Sequence, residues 1–300
     1  MEETNNSQLI TDNENSAISD EQNAEQNGSG HLPAGEAGRP EPTTEVDAVS
    51  ENSQTQELTN SGTSSESKLL PLPKERLPKL EELLKAGVHF GHQKGRWEPA
   101  AKSYIYGERN GVHIIDLQIT LKNLELALDK IKEIINNNGK ILFVGTKRQV
   151  KDLIAEAAKI TSMPFVTERW LGGTFTNFTT MNRRIQKLLD IERKSEEGAL
   201  NHYTKKEQMK FKKLIRDFEK NMGGIKTLTD LPEAIFVVGV KEEKTAVAEA
   251  NKTGVKVIAI SDTNINPKDI DYPIPGNDDS IKSVQLILKY VVREIMEVKK

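Results

Sequence analysis

Glu168-Arg-Trp-Leu-Gly-Gly-Thr-Phe-Thr-Asn-Phe178 interrupts an otherwise regular alternation of strand and helix. Short apolar runs lie on both sides, Lys140-Ile-Leu-Phe-Val-Gly145 upstream and Ala234-Ile-Phe-Val-Val-Gly239 downstream, and a charged helical pair fills the space between them. Gly172 and Gly173 let the backbone take positive φ or approach a second surface closely. Thr174, Thr176 and Asn177 are placed to cap the helix that follows, and Arg169 and Trp170 stand at its mouth. The chain therefore reads as one α/β sheet with a helical hairpin thrown out from its middle.

On the N-terminal side, Leu77, Leu80, Leu83 and Leu84 sit at helical spacing before Gly87. Gly87-Val-His-Phe-Gly-His-Gln-Lys-Gly-Arg-Trp-Glu-Pro99 reads as a surface-contacting loop. Asn110-Gly111, between Tyr104-Ile-Tyr106 and Val112-His-Ile-Ile115, is a hairpin signal because both positions of a type I′ turn need positive φ. Leu117, Leu121, Leu124, Leu128, Ile131 and Ile135 mark one face of a long helix that Asn138-Gly139 stops. Then come strand 141–144, a helix lined by Val150, Ile154, Ala157 and Ile160, a short strand opened by Pro164, strand 235–238, helix 242–251 and strand 255–260. Strand, helix and strand with short links mean parallel pairing. A last helix, capped by Asp278, Asp279 or Ser280, carries Ile281, Val284, Leu288, Val291 and Ile295.

The inserted pair, residues 176–224, has its own pattern. Phe178, Met181, Ile185 and Leu188, and Phe211, Leu214 and Phe218, give each helix a narrow apolar seam suited to antiparallel packing. Thr204-Lys-Lys-Glu207 has the form of a capping box, and Gly223-Gly224 ends the second helix. Arg183, Arg184, Lys187, Arg193, Lys194, Lys205, Lys206, Lys210, Lys212, Lys213 and Arg216 decorate the pair, as a solvated coiled coil or as an arm that faces nucleic acid.

Charge is divided along the chain. Residues 1–67 hold 14 Asp/Glu against one Arg, which leaves 41 Lys/Arg and 31 Asp/Glu for residues 68–300 out of the totals of 42 and 45. The first part, poor in apolar side chains, reads as a disordered acidic tail, and the second as a basic α/β domain with a polyanionic partner. Cysteine is absent, so thiolate metal sites and disulfides are excluded. No apolar run reaches the ~18 residues that span a bilayer, and no secretory leader opens the chain. A soluble cytoplasmic protein with no membrane partner is the expectation.

The turn Gly145-Thr-Lys-Arg-Gln149 has one glycine, so it is neither a dinucleotide fingerprint nor a P-loop, although Lys147 and Arg148 could meet a phosphate at a helix start. His89 and His92 stand three apart with no further ligand at metal spacing, so no metal or other cofactor is expected. His113 has no identifiable triad partner. Trp97 and Trp170 each adjoin an arginine, as core anchors or as braces for a phosphate-binding cation.

Gly87-Val-His-Phe-Gly-His92 with Arg96-Trp97, Glu108-Arg-Asn-Gly-Val-His-Ile-Ile-Asp-Leu117, Phe143-Val-Gly-Thr-Lys147, Glu168-Arg-Trp-Leu-Gly-Gly-Thr174 with Thr176-Asn-Phe178, Leu231-Pro232, Asp262-Thr-Asn264 and Asp271-Tyr-Pro-Ile-Pro-Gly-Asn-Asp278 together closely resemble ribosomal protein two of the bacterial small subunit. The resemblance runs from about Leu80 to Glu297. It implies a Rossmann-like, mostly parallel sheet flanked by helices, with an inserted antiparallel coiled-coil hairpin. It also implies no catalysis, a place in the small ribosomal subunit, binding to small-subunit ribosomal RNA, and contact with other small-subunit proteins including the mRNA-binding ribosomal protein one. The residues expected at RNA are His89, His92, Lys94, Arg96, Trp97, Lys147, Arg148, Arg169, Gly172, Gly173, Thr174, Asn177, Arg183, Arg184 and Lys187. The match departs from the family at Gly95, Glu98 and Ala100, at the strand before Gly239, where an aspartate is often found, and in the acidic tail. A sugar-phosphate-binding α/β enzyme of isomerase type is the alternative, and a protein-binding coiled-coil adaptor a third reading.

Overall fold

The computed structural model describes residues 67–198 and 204–300, so the tail expectation and most of the hairpin tip lie outside the described residues. Five parallel strands form the frame: β4 (Ile141–Val144), β5 (Phe165–Val166), β6 (Ala234–Val237), β7 (Lys256–Ser261) and β8 (Tyr272–Pro275), in the spatial order β5-β4-β6-β7-β8. Every residue of β4 and β6 is buried, which is why their sequences run apolar without alternation. Ile141, Phe143 and Phe236 face one layer, with α2 (Leu117–Asn136), α3 (Lys151–Thr161) and α7 (Ile281–Val298). Leu142, Val144, Ile235 and Val237 face the other, with α6 (Lys244–Thr253).

The rest of that second layer comes from the insert. α4 (Phe178–Glu196) and α5 (Lys205–Met222) are consecutive helices between β5 and β6, where a doubly wound sheet has a crossover helix. Met181 and Ile185 of α4 and Met222 of α5 are buried with Trp170 and Phe175 against the sheet. The seam of α5 differs by one position from the expected one: Phe211, Ile215 and Phe218 are turned inward and Leu214 is 48% exposed. The 3-4-3-4 spacing from Gln208 through Phe211, Ile215 and Phe218 reaches Met222, and Leu214 is off that line.

Two strands were hidden in the sequence. Tyr272–Pro275 contains two prolines, which lack the N–H a central strand needs, and it takes an edge position beside β7. Its carbonyls turn to α2, where Thr120 Oγ1 donates to Pro275 at 2.7 Å and Asn123 Nδ2 to Pro273 at 3.0 Å, so the edge is closed. β1 (Phe90–Gln93) lies in the stretch expected to be a loop. It pairs antiparallel with β3 (Val112–Ile115), which pairs with β2 (Ile105–Arg109). The β2–β3 turn is the one expected, with Asn110 and Gly111 at φ 53° and 74°. This small sheet is stitched to the large one: Glu98 N–H donates to the Thr263 carbonyl at 2.8 Å and His92 N–H to Thr263 Oγ1 at 2.8 Å. α1 (Leu80–Ala86) precedes it and buries Leu83, while Leu80 and Leu84 remain exposed.

Candidate nucleic-acid interface

In the order β5-β4-β6-β7-β8 the chain leaves β4 to one side and returns to the other, so the crevice outside the carboxyl ends of β4 and β6 is where an open α/β sheet ordinarily binds ligand. Here the Lys147 side chain lies in it. Its Nζ is 2.8 Å from Asp279, 3.0 Å from Asp278 and 3.6 Å from Glu242, and only 12% of the side chain is exposed. Burial opposes the charge on Lys147, but the three carboxylates outweigh it and hold the ammonium above its ordinary range. Burial raises Asp278 to about 6 in spite of Lys147, so the pair is ionised at neutral pH.

His92 continues the network. Nδ1 is 3.1 Å from Asp262, and Nε2 is 2.9 Å from the Asn264 amide and 3.6 Å from Asp279. The hydrogen bond to Asp262 holds the imidazole above its usual pKa against the effect of burial. On the β4 side, Glu243 accepts from the backbone and the hydroxyl of Thr146 and is raised by burial. These contacts join the ends of β4, β6, β7 and β8 by internal charge pairing. Lys147 and His92 are thus committed to aspartates that lie far along the chain, Asp279 being 132 residues beyond Lys147, which local reading could not supply.

The interrupting stretch is organised by a residue that sequence reasoning passed over. Glu249, 7% exposed on α6, accepts from Gly173 N–H at 2.7 Å, Phe175 N–H at 2.9 Å, Thr176 N–H at 3.2 Å and Trp170 Nε1–H at 3.3 Å. Burial works against its ionisation, but the donors outweigh burial and keep its pKa below the usual carboxylate range. The expected side-chain caps are therefore corrected: Asn177 is the N-cap of α4 but makes no side-chain capping bond, and Thr174 is buried with its hydroxyl on the Leu171 carbonyl. Gly173 has φ +86°, whereas Gly172 has ordinary φ and open space around it. The available signal was a carboxylate between Ala246 and Ala250 on the buried face of α6, since a charge there needs partners.

The other expected site residues divide by direction. Arg148, Arg169, Asn177, Arg183, Arg184 and Lys187 are exposed, as are Lys94, paired with Glu108 at 2.9 Å, and Arg96. His89 is half-buried against Phe90, with Nδ1 unpartnered, and burial lowers its pKa. Trp97 is half-buried with its ring 5.3 Å from that of His113. A groove of about 710 Å³ along α4 is lined by Asn182, Arg183, Gln186 and Lys187 and closed by Thr229 and Leu231.

Residues 83–298 match the profile of the family described as ribosomal protein S2, which is well over half of the chain and spans every strand and helix from α2 to α7. That family is structural and not enzymatic, and its place is the small ribosomal subunit. Arrangement and match agree, because the crevice that an α/β enzyme would keep open is packed here with Lys147 and its carboxylates. The chain belongs to the ribosomal protein S2 family, whose members are structural constituents of the small ribosomal subunit.

Proposed function

We propose that this protein binds small-subunit ribosomal RNA chiefly through phosphate contacts from the outer face of α4 and α5, with Arg96, Arg148 and Arg169 at the flanks. One observation carries the reading: Arg183, Arg184, Lys187, Lys206, Lys213 and Arg216 are exposed and form no ion pair among the described residues, while the apolar seam is turned inward. Free cations on a rigid helical face release counterions from a nucleic-acid backbone without reading sequence. His89, His92, Lys147 and Thr174, being turned inward, hold the scaffold for those contacts. Residues 176–224 serve as a coiled-coil arm on the α/β domain of residues 68–300, each helix reaching about 28 Å at 1.5 Å per residue. Held in the subunit in this way, the protein docks the mRNA-binding ribosomal protein one, as the family resemblance implies.

Affinity for small-subunit ribosomal RNA measured against salt tests the reading. The variant Arg183→Glu with Arg184→Glu should bind more weakly at every RNA sequence and lower the salt slope by at least about 0.7 per lost phosphate contact. An unchanged slope would remove the arm from the RNA surface.

A further inference from the structure

A second groove, of about 410 Å³, lies between α6 and the segment that joins β7 to β8, and shares no lining residue with the groove along α4. Its floor is apolar: Val240, Val247 and Ile265 line it and are 4–5% exposed. Lys241 and Lys244 stand on its wall, exposed and in no ion pair among the described residues. Asn251, Asn264 and Asn266 supply amides, and Glu98 and Asp269 supply acceptors.

Two features make this a prepared site. The N-cap of α6, Glu243, gives its carboxylate to Thr146, so the first turn of the helix at Lys244 receives no side-chain cap. An uncapped helix start flanked by two unpaired lysines favours one phosphate group. In addition, Asn264 lines the groove half-buried, with its Nδ2 2.9 Å from His92 Nε2. The carboxylates of Glu98 and Asp269 disfavour a polyphosphate and suit the amino group of a base.

We propose that this groove receives a single unstacked nucleotide of the RNA, its base on the Val247 and Ile265 floor and its phosphate at Lys241, Lys244 and the start of α6. An extruded base can be held between apolar side chains of a protein pocket, and the amides and carboxylates of the rim read the base edge. The inference rests on the RNA-binding reading above but assigns a contact distinct from the arm.

The variant Ala248→Trp tests it, since Ala248 lines the groove but is exposed on α6, so a larger side chain fills the slot without entering the core. Titration of the full chain with small-subunit ribosomal RNA should show about a tenfold loss of affinity, the size of one lost base contact, at an unchanged salt slope. Lys241→Ala with Lys244→Ala should instead lower the slope, by roughly 0.7 for each cation in contact. Circular dichroism confirms that each variant is folded, and 4-thiouridine-substituted RNA crosslinked to the wild-type chain should label the peptide around residues 241–266. If wild type binds RNA while folded Ala248→Trp binds as well and no label reaches this peptide, the groove assignment is overturned and the arm reading stands. If wild type does not bind RNA, both fall.

Discussion

At the scale of single residues, Glu249 shows how one carboxylate replaces several local signals. It holds three backbone N–H groups and the Trp170 indole, so the entry to α4 is aimed by a side chain that lies 76 residues beyond Gly173. Glu249→Gln keeps the shape but offers an amide where donors converge, and should destabilise the domain by about 2 kcal/mol in urea unfolding. Because the folded pKa is depressed below the ordinary 4.5, the contribution is full above that value and is lost as pH falls through the folded pKa. The stability difference between wild type and variant should therefore shrink on acidification below about pH 4.5 and stay constant near neutrality. Three glycines should rank by their surroundings. Gly172→Ala should be neutral, since nothing lies within 4 Å, and Gly173→Ala should cost about 1 kcal/mol at φ +86°. Gly224→Ala should cost most, about 3 kcal/mol, because its Cβ would lie 2.2 Å from the Phe165 carbonyl oxygen, which is backbone and cannot turn away. Thermal midpoints of the three variants check the order.

At the scale of elements, α4 and α5 are held to the domain unequally. α4 buries Met181, Ile185 and Leu188 along more than half its length, whereas α5 is buried only at its root, at Met222, where Lys226 meets Glu219 of α5 and Glu192 near the far end of α4. Further out, Met209 is 72% exposed and Leu214 48%, and the second helix starts on a capping box of Thr204 and Glu207. Local opening follows local burial, so amide exchange should be fastest around residues 205–212 and slowest around 181–185 and near 222. Uniform protection along both helices would mean that the arm owes its order to the seam alone. The same division explains why the apolar spacing of α5 misled by one position: the line is set by Met222 at the root, where packing is tightest.

At the scale of the whole molecule, the described residues form an α/β unit with both sheet faces covered, and the acidic N-terminal segment is rich in charge and poor in apolar side chains. Deleting residues 1–66 should leave the thermal midpoint of the remainder within about 2 °C, because segments of such composition bury too little to contribute. A larger fall measured by calorimetry would show that the tail packs on the domain.

Features whose signals are local were legible in the chain itself. The strands read at 141–144, 235–238 and 255–260 are buried parallel strands to within a residue or so at each end, periodic Leu and Ile specified the inner face of α2, Asn110-Gly111 specified the hairpin turn, and Thr204 with Glu207 specified a helix start. Composition likewise specified that residues 68–300 are basic and the arm cationic. What depends on distant partners came only with the fold. Tyr272–Pro275 is a strand only because an edge of β7 accepts a chain with two prolines and α2 satisfies its carbonyls. Phe90–Gln93 is a strand only because β3 and Thr263 pair with it. The direction of each cation had the same origin: Lys147 and His92 turn inward toward Asp278, Asp279 and Asp262, carboxylates brought to them by the strand order, whereas Arg183 and Arg184 meet no such partner and stay in solvent. Periodicity reports which face of an element is apolar, but the partner of a charge is fixed by where the chain returns, and only the fold contains that.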